Sequence, residues 1–127
     1  MFDYTVETKK NIDEAVHALE ESLKEEGFGV LWNFDLTAKL QEKGANFETP
    51  FRVLEVCNPH EAKRVLSENL LIGYFLPCKI VVYVEEGTTK IGLPKPTSLI
   101  GLLQDDKIKA IAEEIEKQLI SAVDKAV

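Results

Sequence analysis

Sulfur and imidazole are scarce in this chain of 127 residues, which holds two cysteines, one methionine and two histidines. Two cysteines are too few to staple a fold, which excludes a disulfide scaffold. Glycine and proline number only seven and five, and no linker, repeat or low-complexity tract divides the chain. No run approaches the ~20 apolar residues that a spanning helix needs. Met1-Phe2-Asp3-Tyr4-Thr5 lacks a basic segment followed by an apolar one, so no signal peptide is expected and the cytoplasm is the expected compartment. Lys and Arg total 15 against 22 Asp and Glu, a net charge of −7. That excess of acid disfavours general attraction to nucleic acid or anionic membrane, so neither is expected as a partner. Ready-made chemistry is missing too. Gly92–Thr97 has no phosphate-loop pattern, Gly27-Phe28-Gly29 lacks the third glycine of a dinucleotide site, and there is no Gly-x-Ser-x-Gly or Cys-x-x-Cys. No cofactor is implied.

What is present is a globular composition, 45% hydrophobic and 29% charged. The length suits one domain, 1–127, able to bury about two thirds of its unfolded surface without a metal or disulfide. Phe2, Tyr4 and Val6 alternate with polar residues, the pattern of a half-buried strand. Asn11 with Glu14 forms a capping box, after which Ile12, Val16, Leu19 and Leu23 lie on one helical stripe. The acidic remainder of that helix, with His17, reads as solvated surface. A second strand is expected over 28–34, with Phe28, Val30, Trp32 and Phe34 sharing one face and Trp32 in the core. A short helix, capped by Asp35 or Thr37, then precedes a third strand over 51–57.

Asn58-Pro59-His60-Glu61 reads as a helix start, with Asn58 as cap and Pro59 at the first helical position. Leu70–Leu76 is apolar but holds Gly73 and runs into Pro77, which predicts a packed loop. The strongest strand, 78–85, carries Ile80-Val81-Val82-Tyr83-Val84, and the turn at Glu86-Gly87-Thr88 leads to a partner strand ended by Pro94 and Pro96. Ile108, Ile111, Ile115, Leu119 and Ala122 mark a long final helix beginning near Asp105. The order predicts an α+β fold: a two-layer sandwich with a mainly antiparallel five-stranded sheet, two long helices on one face and short helices between strands. A flavodoxin-like parallel sheet fits less well, because a short helix and polar loop separate the second and third strands. The other sheet face is expected to show Leu31, Leu54, Val56, Val81 and Tyr83, and to be covered by short helices, a homodimer contact or both.

One constellation offers chemistry. Cys57 closes the third strand and Cys78 opens the fourth, so antiparallel pairing would bring both thiols to one end of the sheet. Cys57 precedes a helix N-terminus, where the dipole favours thiolate, and His60 lies near as a tuning group or ligand. Cys57 is then the nucleophile and Cys78 its resolving or co-ligating partner, in a redox, sulfur-handling or ligand-binding site. A Cys₂His metal corner would need a further ligand, since closed zinc sites take four. The competing reading makes both cysteines small buried hydrophobes, with Cys78 sharing a face with Ile80, Val82 and Val84. Function would then reside in a non-catalytic homodimeric binding or assembly module.

Val56-Cys57-Asn58-Pro59, Gly73-Tyr74-Phe75-Leu76-Pro77-Cys78-Lys79-Ile80-Val81-Val82-Tyr83 and Glu25-Glu26-Gly27-Phe28-Gly29-Val30-Leu31 resemble the domain of unknown function 302 family along nearly the whole chain. The Cys-Asn-Pro and Leu-Pro-Cys elements look like the subgroup bearing both cysteines. The resemblance implies an α+β domain with helices on one side of the sheet, commonly a homodimer, and no settled activity. Glu55 stands where the family often has a small residue, and Lys95-Pro96 where it frequently has Asp-Pro. A site using that aspartate would be altered here.

Overall fold

The computed structural model describes residues 2–127. Five strands, β1 (Asp3–Thr8), β2 (Gly29–Asp35), β3 (Phe51–Cys57), β4 (Cys78–Glu85) and β5 (Thr88–Pro94), form one sheet in the order β1-β5-β4-β3-β2. Every neighbouring pair is antiparallel, which confirms the α+β sandwich and excludes the parallel alternative. The helices are α1 (Ile12–Glu25), α2 (Leu36–Glu42), α3 (Pro59–Glu68), α4 (Pro96–Ile100) and α5 (Asp106–Ala126), with 3₁₀ turns at Leu70–Phe75 and Gly101–Leu103.

Local chemistry accounts for the long helices. The Asn11 side chain accepts from the Glu14 N–H at 2.9 Å, and the Glu14 carboxylate accepts from the Asn11 N–H at 3.0 Å, closing the expected capping box. Asp105 caps α5 by accepting from the N–H groups of Lys107 and Ile108. The apolar stripes of α1 and α5 meet over the sheet, with Leu19, Leu23, Ile108, Leu119 and Val123 almost fully buried. Ser22 Oγ donates to the Ala122 carbonyl at 2.7 Å, so this buried hydroxyl is satisfied where the two helices pack. His17 is exposed, as its place on the polar face implies.

Register assigns each sheet residue to a layer, because opposite residues in an antiparallel pair share a face. Leu54 lies opposite Ile80, and Val56 opposite Cys78. Leu54 and Val56 are therefore on the helical face and fully buried, which corrects their expected place on the open face. That face carries Val81 and Tyr83, as expected, together with Phe51 and Val53, and Phe51 and Tyr83 stack at 5.3 Å between ring centroids.

β2 holds a second correction. Val30 pairs with Val56, but the next paired residue is Trp32, opposite Glu55, so Leu31 is the extra residue of a bulge. The bulge shifts the alternation by one. Phe28 and Val30 pack on the core, whereas Trp32 and Phe34 turn to the open face and stack at 4.7 Å. Trp32 is 55% exposed rather than a core residue.

Leu70–Phe75 is also not a packed loop. It is a 3₁₀ helix with Ile72 buried and Leu70, Leu71 and Tyr74 exposed, followed by a cis Leu76–Pro77 peptide. Beyond Pro94, where the chain was expected only to break, Pro96 starts the short helix α4.

Candidate functional site

The end of the sheet where β3 finishes and β4 begins holds all three residues singled out in the sequence. Asn58 caps α3 as predicted, its side-chain oxygen accepting from the N–H groups of His60 and Glu61 at 3.1 and 3.3 Å. Gly27, at φ +84°, leads the chain from α1 to β2 beside this cap. The positive φ favours glycine, and a Cβ there would stand 3.2 Å from Asn58 Nδ2, so the capping side chain would have to give way.

Cys57 and Cys78 share this end of the sheet, but their thiols are free and not near enough to pair. The register explains the separation. Cys78 lies opposite Val56 while Cys57 lies opposite Gly29, and strand alternation diverts neighbouring side chains to opposite faces. Both border a gap of about 20 Å³ beneath α3, room for one water and no ligand.

Cys78 packs against the core, and burial pushes its thiol up to about 11, with the negative fields of Cys57 and Glu55 adding to the effect. At neutral pH it is protonated, a poor nucleophile and a poor metal ligand. His60 is exposed on the outer side of α3 and borders neither the gap nor the cavity described next. Among the described residues, no three His, Cys, Asp or Glu side chains are grouped to hold a metal ion, so the Cys₂His corner is not assembled.

What the same end of the sheet does contain is a cavity of about 480 Å³, within the range of small-molecule sites. Val65 of α3 and Ile115 and Leu119 of α5 line its inner part. Ile72, Phe75 and Leu76 supply one wall, and Leu99 and Ile100 of α4 another. Pro77, Pro94 and Pro96 surround it where β4 begins and β5 ends, and the Lys95 N–H donates to the Phe2 carbonyl at 2.9 Å, tying the N-terminal segment to the rim. Phe2 and Tyr74 also line it while remaining 62% and 84% exposed. Besides the exposed Tyr74, only Glu55, Cys78 and Lys79 bring polar or ionisable side chains to the lining among the described residues.

Of the sequence candidates, Cys78 alone faces this cavity. The other contributors come from separated segments, among them the apolar stretch 70–76 and the region of Pro94 and Pro96. The available signal was the cluster of large apolar residues between Leu70 and Leu76, too many for a solvated connection.

No helix among the described residues is long and apolar enough to cross a membrane. The family model described as domain of unknown function DUF302 matches residues 4–126. The chain is similar throughout to a solved structure, that of an uncharacterized conserved protein DUF302 from Bacillus stearothermophilus. The two are 61% identical, the match covers 100% of this chain and 99% of that one, and the TM-score is 0.98. No curated protein matches.

Proposed function

Since the chain belongs to the DUF302 family, whose description assigns no activity, we propose a role from its own geometry: the domain binds a small apolar molecule in the sheet-end cavity. The observation that carries this reading is the union of a ligand-sized volume with an almost wholly apolar lining at one end of the sheet. Of the thiol chemistries expected there, binding is favoured over redox or sulfur transfer. A protonated Cys78 with no thiol close enough to pair serves better as polarizable wall than as reagent.

An uncharged fluorescent apolar dye, N-phenyl-1-naphthylamine, should bind saturably at one site per chain. Leu99→Trp, which places an indole in the cavity, should weaken binding by about tenfold or more, the loss of about two buried methylene equivalents. Leu102→Trp, on an exposed residue that does not line the cavity, should leave it unchanged. Failure of the unmutated protein to bind the dye would remove the proposal.

A second reading, assembly as a homodimer, is supported by the open face of the sheet. The stacked pairs Trp32–Phe34 and Phe51–Tyr83 lie there beside an edge strand whose Leu31 is 64% exposed. The two readings rest on different residues, since none of the four stacked rings lines the cavity.

A further inference from the structure

Building on the binding reading above, we infer that the ligand is a single-chain amphiphile whose tail bends around the end of the sheet, with an uncharged or zwitterionic head between Glu55 and Lys79. Cys78 and Lys79 are consecutive residues at the start of β4, so the pleat sends their side chains to opposite faces, and yet both line the same cavity. Cys78 shares the helical face with Val56, whereas Lys79 lies opposite Glu55 on the open face. The cavity therefore straddles the sheet end, reaching from Glu55 and Lys79 on one face to Ile115 and Leu119 of α5 on the other. A space that turns through the thickness of a sheet suits a flexible chain better than a rigid ring system.

Polarity divides along this path. The inner part is walled by aliphatic side chains and the neutral Cys78 thiol, so a charged group there would lose hydration without a partner. Glu55 and Lys79 mark the outer part, where Lys79 is exposed and Glu55 half-buried. Directly opposite side chains in an antiparallel pair lie about 5 Å apart at Cβ, close enough for these opposite charges to offset one another. A lone carboxylate head would meet Glu55 as well as Lys79, and a lone ammonium would meet Lys79 as well as Glu55. A hydroxylated or zwitterionic head can satisfy both. Exposed Phe2 and Tyr74 carry the lining out to solvent.

The test is calorimetric titration with n-alkyl β-D-glucosides of increasing chain length, below their micellar concentrations, beside saturated fatty acids and alkyltrimethylammonium salts of equal length. Affinity for the glucosides should rise about fourfold per added methylene, as buried CH₂ groups do. It should then level off once the chain outgrows the cavity of about 480 Å³. Glu55→Gln should shift preference about two- to fivefold toward the fatty acid, and Lys79→Gln by a similar factor toward the ammonium salt, the scale of an exposed charge contact. Saturable dye binding without chain-length dependence would overturn the amphiphile while leaving the apolar-ligand reading intact. Chain-length dependence with neither charge variant altering head preference would overturn the head placement. If the dye does not bind either, both readings fall together.

Discussion

Cys78 illustrates how burial decides what a residue can do. Its position at a strand end beside a helix start admits a reactive thiol, yet the packed core around it raises its ionisation to about 11. An unfolded thiol titrates near ~8.5, so below that pH both states are neutral and the full stability is present. As pH rises toward 11 the unfolded chain ionises first, and stability is lost through that window. The loss by pH 10.5 should stay below ~3 kcal/mol, reduced by the thiol's partial exposure. Urea denaturation at neutral pH and near pH 10.5 measures it as the difference between the unmutated protein and Cys78→Ala. Equal alkaline losses in the two proteins would contradict a buried neutral thiol. His60 shows the converse: its sequence position beside Cys57 is attractive, but α3 directs it to solvent.

Among the elements, caps and breaks behave as local chemistry demands, while changes of face do not announce themselves. Asn11, Asn58 and Asp105 each cap the helix that follows, because a side-chain acceptor beside free N–H groups acts within a few residues. The bulge in β2 has no such signature: Val30, Trp32 and Phe34 alternate perfectly in the sequence, and only pairing with β3 inserts Leu31 between them. The connection from α1 to β2 supports a sharper prediction. Gly27 and Gly44 both have φ near +80°, but a Cβ at Gly27 would press on Asn58 whereas one at Gly44 meets nothing. Gly44→Ala should cost ~1 kcal/mol from backbone conformation alone, and Gly27→Ala roughly 1 kcal/mol more as the α3 cap is displaced. Thermal or chemical unfolding of both variants reads the difference, and equal costs would show that the Asn58 contact carries no energy.

For the molecule as a whole, one sheet face is covered by α1 and α5 and the other displays aromatic rows. Apolar surface of this kind beside an edge strand is the setting in which a second copy gains the most from docking. Light scattering at micromolar concentration should give twice the monomer mass. Trp32→Glu should shift the protein toward monomer with little cost to folding, because the indole is already half in water. A monomer before mutation would exclude the dimer and leave the aromatic face as surface.

The α+β class, the five strands, the capped helices and the hairpin turn at Gly87 are legible from the chain alone. They arise from periodicity, caps and turn residues that act over a few positions. The sequence also brings Cys57, His60 and Cys78 to one end of the sheet, since that follows from strand order. Whether the two thiols meet is a matter of register, and one step of pleat separates them. Tertiary structure alone decides that Leu54 and Val56 are core, that Trp32 is exposed, and that six separated stretches of chain enclose a cavity. A cavity is the space left when distant segments pack, so no local pattern encodes it.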